Sequence, residues 1–78
     1  SGPAGLLFFK AAYDLGEQIA QGEADMKMFK SANILAGVLL HYPAGAINNA
    51  VEGIMAAENG EVEGAAIAPA IIFGPPRS

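Results

Sequence analysis

Very few side chains in this sequence could take part in catalysis or bind a metal ion. His41 is the only histidine, there is no cysteine, and serine occurs only at positions 1, 31 and 78. A Ser-His-Asp arrangement would therefore have to use Ser31, ten residues before His41. This spacing gives little support for a nucleophile and its base. We expect His41 to lie in the core or at an interface, with a metal-binding or acid–base role as the alternative.

The carboxylates offer two further possibilities for chemistry. Asp14 and Glu17 lie one helical turn apart and could act as a pair, but with Lys10 they form a polar stripe, which favours a solvated helix face. The acidic segment 58–63 lacks the alternating aspartates of a calcium loop. The stretch GEVEG lacks the helix-opening geometry of a phosphate-binding loop. We therefore expect no enzymatic activity, no cofactor and no metal site.

The size of the chain indicates that it needs a partner. A protein of 7.9 kDa should fold to a surface of about 4,400 Å² and bury only about 60% of its unfolded surface. Chains of this size usually rely on disulfides, a metal or a partner, and cysteine is absent here. The absence of cysteine also leaves the redox compartment open. We expect self-association or binding to another protein.

Composition disfavours two other kinds of partner. Eight acidic residues against four basic ones give a net charge of −4 without a basic cluster, which argues against direct contact with nucleic acid. Residues 31–51 carry no formal charge when His41 is neutral, and that length could cross a membrane. However, Asn33, Asn48 and Pro43 would leave polar groups without partners in lipid. A buried helix that turns at Pro43 is favoured, and membrane insertion is the alternative.

Periodicity and turn residues predict two helices in the first half of the chain. The first spans about 4–21, ends at Gly22 and has a close-packing position at Gly16. The second spans about 25–42 and is capped by Asp25. Because apolar residues point in every direction of this second helix, we expect it to be buried on all sides.

The second half predicts one long helix and a short tail. Pro43 separates the second helix from a third over about 44–58, which ends at Asn59-Gly60. The tail 61–78 is read as a short helix or an extended apolar segment. The sequence thus predicts an all-α fold, a small helical bundle or a hairpin of three helices with a short apolar C-terminal segment. The large apolar residues on one stripe of the third helix are Ile47, Val51, Ile54 and Met55.

Two sets of large side chains follow from this arrangement. The first set is expected to form the core between the helices and comprises Leu15, Ile19, Phe29, Leu35, Val38 and Leu39. The second set lies near the chain ends or on the stripe of the third helix, where three helices would cover it least. We expect this second set to contact a partner, and its members are Phe8, Phe9, Ile47, Ile54, Ile71, Ile72 and Phe73.

Small residues are abundant in this chain. Sixteen alanines and ten glycines make up a third of it, and pairs such as Ala32/Ala36 and Ala46/Ala50 lie one helical turn apart. Such pairs let helices approach closely. They favour tight packing within the chain, and they also suit a flat apolar face that docks on another protein.

The second half of the sequence resembles a class of phage protein. The succession AGVLLHYPAGAINNAVEGI, AAENGEVEG and an apolar end with FGPP is similar to the C-terminal segments of large internal virion, or DNA-ejection, proteins of tailed bacteriophages. It is also similar to large polyvalent proteins of mobile elements. In those segments an alanine-rich helix breaks, continues as an amphipathic helix and passes a Gly-Glu turn. The matching positions, within residues 29–75, are Gly37, Pro43, Ile47, Gly53, Gly60, Glu61 and Gly74.

This resemblance implies a non-catalytic assembly and packing module. Such a module would be part of a longer chain and would lie in the virion interior. No catalytic residue is implied, because the enzymatic parts of those proteins lie in other domains. Two alternatives remain: a small soluble helical protein–protein interaction module or subunit, and a small membrane-associated subunit.

Overall fold

The computed structural model describes the backbone of residues 2–77 and the side chains of residues 5–77. It contains four α-helices and no β-strand within that range. A 3-10 turn at Gly64–Ala66 leads directly into the last helix. The predicted all-α helical bundle is therefore confirmed. The helices are α1 (Gly2–Ala20), α2 (Met26–Leu39), α3 (Ala44–Glu58) and α4 (Ile67–Phe73).

Two glycines end helices in the left-handed conformation that the sequence predicts. Gly22 follows α1 with φ +71°, and Gly60 follows α3 with φ +74°. At α1 the Gly22 N–H donates to the Ile19 carbonyl and the Glu23 N–H donates to the Gln18 carbonyl, both at 3.0 Å. The same pair of bonds closes α3. This double closure satisfies carbonyls that would otherwise lack partners at the helix ends.

The beginning and end of α2 have local causes. Asp25 caps the helix as predicted, because its Oδ1 accepts from the backbone N–H of Lys27 at 3.0 Å and of Met28 at 3.2 Å. The helix ends at Leu39, three residues earlier than expected. Tyr42 N–H donates to the Leu39 carbonyl in a tighter, 3-10-like turn. Pro43 then begins the next segment without an N–H of its own.

The helices are arranged in the spatial order α2, α1, α4, α3. α1 packs against both α2 and α4, and α4 also packs against α3. α2 and α3, although consecutive in the chain, make few direct contacts. The Cα atoms extend over 32 × 31 × 16 Å, so the molecule is flat. The apolar tail is thus a short helix at the centre of the bundle, between α1 and α3.

Two glycines allow α4 to lie this close to its neighbours. A Cβ atom at Gly16 of α1 would lie 2.9 Å from the Ala68 backbone nitrogen. A Cβ atom at Gly53 of α3 would overlap the Ala70 carbonyl and lie 2.6 Å from the Ile71 nitrogen. Both distances are below ordinary van der Waals contact. The predicted close-packing position at Gly16 is confirmed, and Gly53 has the same role on the opposite side of α4.

The core contains most of the residues predicted for it. Leu15, Leu35, Val38 and Leu39 are buried, as expected. Ile19 is partly buried and packs against the edge of this cluster. The remaining buried apolar side chains come from α1, α3, the segment before α4, and α4 itself; they are Phe8, Ala11, Ala12, Ala50, Ala56, Val62, Ile67, Ala68, Ala70, Ile71 and Ile72.

Two predictions about α2 are wrong. Phe29 was expected in the core, but 66% of its surface is exposed. The helix as a whole was expected to be buried on all sides, but it packs extensively only against α1. Its face with Ser31, Leu35 and Val38 is therefore covered. The other faces, including Phe29, have no helix against them.

Three predicted interface residues belong to the core instead. Ile71 is fully buried, and Ile72 is nearly so, because α4 is inserted between α1 and α3 rather than lying at the margin. Phe8 is also buried, and its ring centroid lies 4.9 Å from that of Tyr42 in the turn before α3. These three side chains stabilise the fold and are not available to a partner.

Candidate interaction surface

The side chains that could support catalysis do not form a site. Ser31 is buried on the α1-facing side of α2, whereas His41 is exposed in the turn that follows this helix. The prediction of a core position for His41 is therefore wrong, and an interface position stays a prediction. No group of three His, Asp or Glu side chains within the described part of the chain could share a metal ion.

The polar stripe of α1 is a solvated face, as the sequence predicts. Lys10 Nζ lies 2.7 Å from Asp14 Oδ2; the lysine side chain is largely exposed and the aspartate side chain about half exposed. Gln21 Nε2 donates to Glu17 Oε1 at 3.4 Å on the same stripe. Asp14 thus pairs with a lysine one turn away and not with the second carboxylate of Glu17.

Twelve large apolar side chains in the described part of the chain are substantially exposed. The solvent-accessible surface is 5083 Å², compared with about 4,400 Å² for a compact monomer of this mass. An exposed apolar residue by itself needs no explanation, but a contiguous set marks an interaction site. The large apolar residues with substantial exposure are Leu6, Leu7, Phe9, Tyr13, Met26, Phe29, Ile34, Leu40, Ile47, Val51, Met55 and Phe73.

Several of these residues line a groove between α2 and α3. We call it the α2–α3 groove; its volume is about 320 Å³ and its surface is almost entirely apolar. Its floor includes Leu15 of α1. Ala32, Leu35, Ala36, Leu39 and Leu40 form the α2 wall, and Ile47, Ala50, Val51 and Ile54 form the α3 wall.

The groove is open because of the order in which the helices pack. α4 fills the space between α1 and α3, and no helix fills the corresponding space between α2 and α3. Ala32 and Ala36 keep the α2 wall shallow, since their side chains are small. Leu40, whose surface is 79% exposed, stands near the turn that joins the walls. A further apolar element could therefore pack between the two helices.

The buried face of α3 is not the face that the sequence indicates. Ala50, Gly53 and Ala56 are buried, while Val51 and Met55 are exposed. The small residues face α4 because only they permit its close approach. The stripe of large residues is consequently turned towards the α2–α3 groove and the adjacent surface.

Four predicted interface residues remain accessible, and the structure divides them into two groups. Ile47 and Ile54 line the α2–α3 groove, where Ile54 is only partly exposed. Phe9 and Phe73 lie together in a second, wider concavity of about 590 Å³ next to Tyr42.

Sequence reasoning missed other exposed residues of the groove. Val51 lay on the predicted stripe of α3 and could have been added to Ile47 and Ile54. Leu40 was not distinguishable, because α2 is apolar in every direction.

Two exposed charged residues, Lys30 and Glu58, lie on α2 and α3 far from the turn that joins these helices. Lys30 is exposed and follows Phe29 on α2, nine residues before this helix ends at Leu39. Glu58 is exposed at the end of α3 and continues the spacing of Ile47 and Ile54 along that helix. Lys30 is one turn before Ile34, on the face of α2 that points away from the groove, so it does not balance the negative charge at the end of the α3 wall. Between residues 31 and 51 there is no Asp, Glu, Lys or Arg.

The described residues include no helix whose length and apolar character would allow it to cross a membrane. Comparisons of the chain with protein-family models, with curated protein sequences and with solved structures gave no match. Any functional inference therefore depends on the surface of the molecule and on the sequence pattern.

Proposed function

We propose that this chain is a non-catalytic helical assembly module that binds another protein through the α2–α3 groove. The main supporting observation is the exposure of apolar side chains along both walls of one groove. Burial of apolar surface stabilises a complex by about 25 cal/mol per Å² before the costs of association. An uncovered apolar groove in a chain with a small core favours a protein contact over a solvated surface.

The chemistry of the groove supports a protein as the partner. Its wall residues are aliphatic and include no charged side chain, as in the central part of protein–protein interfaces. Its polar groups are too few to orient a small polar substrate.

We further propose that the module belongs to an internal virion protein of a tailed bacteriophage. This proposal is supported by the order of features in residues 29–75, including the break at Pro43 and the Gly60-Glu61 turn. In that setting the groove would be covered by a neighbouring protein in the virion interior. Rearrangement during DNA ejection would then expose it again.

Site-specific photo-crosslinking tests the groove. A photoreactive phenylalanine at Val51, in the groove, is compared with one at Asn48, which is exposed on α3 and is not part of the groove lining. We expect irradiation of cells that produce the full protein to give a discrete protein adduct from position 51 and none from position 48. The substitution Ala36→Glu in the opposite wall should abolish that adduct. The same yield at both positions would contradict the assembly function.

Particle fractionation tests the phage assignment separately. We expect the chain to co-purify with intact virions and to become sensitive to protease only when the particles are opened. Absence of the chain from purified particles would contradict the virion assignment. It would leave the assembly function of the groove unaffected, because a crosslink from position 51 does not depend on the source of the partner.

A further inference from the structure

The α2–α3 groove offers almost no polar group to the backbone of a bound segment. Its walls are two helices whose N–H and C=O groups are paired within each helix, and the side chains that line it are all aliphatic. An extended peptide would lose its hydrogen bonds to water there without replacing them. A helix pairs its backbone groups internally and presents only side chains. The chemistry of the groove therefore favours a helix as its occupant.

Glu58 gives the α3 wall of the groove a negative end. It follows Val51 by seven residues and Ile54 by four, so helical spacing places it on the stripe that lines the groove. Its side chain is exposed. It is also the last residue of α3, where the helix dipole adds a partial negative charge. The end of this wall away from Pro43 is therefore a region of negative potential.

The α2 wall also has a negative end. Asp25 precedes Ala32 by seven residues and Ala36 by eleven, which places it on the groove stripe of that helix. The two lysines of α2, Lys27 and Lys30, lie about 150° around the helix from the middle of this stripe, so they point away from the groove. Neither wall therefore carries a basic residue that balances its carboxylate.

We propose that the α2–α3 groove binds an amphipathic helix of another protein whose apolar stripe ends in lysine or arginine. This inference rests on the proposed function, in which the groove is a protein contact. From Leu40 back to Asp25 the α2 wall extends over about 22 Å, so a bound helix of roughly four turns reaches from the turn to the carboxylates. Its apolar stripe packs between the walls, and its basic end lies beside Glu58. The net charge of −4 also attracts a basic segment at longer range.

Identifying the segment that crosslinks to position 51 tests the nature of the occupant. The full protein with a photoreactive phenylalanine at Val51 is irradiated in cells, and the crosslinked peptide is sequenced by mass spectrometry. We expect a peptide of another protein, from an amphipathic helix with lysine or arginine at one end of its apolar stripe. A crosslink to a second copy of this chain, or to a stripe without a basic end, would overturn this inference and leave the assembly function standing. Absence of any adduct would contradict the assembly function itself.

Reversing the charge of Glu58 tests the basic end of the partner helix. Glu58→Lys should lower the yield of the adduct about threefold or more, because it places like charges together. Glu52→Lys is the matched control, since Glu52 is exposed on α3 outside the groove lining, and it should leave the yield unchanged. Circular dichroism checks that both variants keep their helix content.

A compensating change in the partner completes this test. Replacing the basic residue of the identified segment by glutamate should lower the yield with the unsubstituted chain and restore it with Glu58→Lys. Equal yields for Glu58→Lys and Glu52→Lys, or a partner change that restores nothing, would overturn the inference.

Discussion

Gly53 of α3 lies directly against the backbone of Ala70 in α4. A Cβ atom at position 53 would overlap the Ala70 carbonyl, so no other residue fits without separating the two helices. This contact joins the two helices at one side of the flat molecule. The small residues of α3 are therefore a requirement of the packing and not an incidental result of composition.

The substitution Gly53→Ala should destabilise the fold. Alanine in a helix is favoured over glycine by about 1 kcal/mol, but overpacking against a backbone costs about 1–3 kcal/mol or more, so we expect a net loss. The control is Gly37→Ala, because Gly37 is also in the middle of a helix and has no atom within 4 Å of an added Cβ. That variant should gain about 0.5–1 kcal/mol. Urea unfolding of both variants checks the prediction, and equal effects at the two positions would contradict it.

Neighbouring residues of α2 should differ sharply in their contribution to stability. Leu35 is buried against the core and Ile34 is about half exposed. Leu35→Ala should lower the free energy of unfolding by about 2–5 kcal/mol, because it leaves a cavity that the helices only partly fill. Ile34→Ala removes a similar side chain from the surface and should cost much less. Thermal or chemical unfolding measures both, and a comparable loss for Ile34→Ala would mean that this face of α2 is covered.

The cap of α2 should contribute measurably to stability. Removing the Asp25 carboxylate by Asp25→Ala leaves the Lys27 and Met28 N–H groups without their acceptor. We expect a loss of about 0.5–2 kcal/mol in the free energy of unfolding, whereas Asp25→Asn retains an acceptor and should cost less. Glu23→Ala, in the same exposed loop, is the control for the loss of a negative charge. A loss for Glu23→Ala equal to that for Asp25→Ala would show that charge, and not capping, is responsible.

The effect of substitutions at Gly60, in the turn after α3, should come from its backbone conformation and not from steric contacts. Its φ of +74° is left-handed, and no atom lies within 4 Å of an added Cβ. Gly60→Ala should therefore cost about 1–2 kcal/mol through backbone strain. Asparagine tolerates this conformation better, so Gly60→Asn should be milder. If both variants unfold at the same denaturant concentration as the unsubstituted chain, the turn must be able to rearrange without cost.

Local signals were sufficient to predict most helix ends from the sequence. Gly22, Asp25 and Gly60 act through bonds within a few residues of themselves, so their effect does not depend on the rest of the fold. The third helix spans the expected residues 44–58. Burial of Leu35 and Val38 also followed from the apolar pattern of α2.

The relative placement of the helices could not be predicted in this way. Periodicity shows that a helix has apolar faces, but it does not show which face meets which neighbour. For α3 the decisive factor was the closeness of α4. Only the face of α3 with small residues fits against α4, so Val51 points away from it. For α2 the missing neighbour left Phe29 exposed and created the groove. Both outcomes depend on the tail, whose seven-residue helix is too short for periodicity to position.

The central place of α4 also has a consequence for synthesis. α4, which packs between α1 and α3, is synthesised after both of them. These two helices can therefore leave the ribosome before the helix that holds them together. The residues that contact each other in α1 and α4 are roughly fifty positions apart. These contacts form only when the chain between the two helices closes into a loop. Until α4 packs, the apolar faces of α1 and α3 around Gly16 and Gly53 are exposed to solvent. Folding is therefore completed only when residues 67–73 pack, and until then both helix faces are open to aggregation.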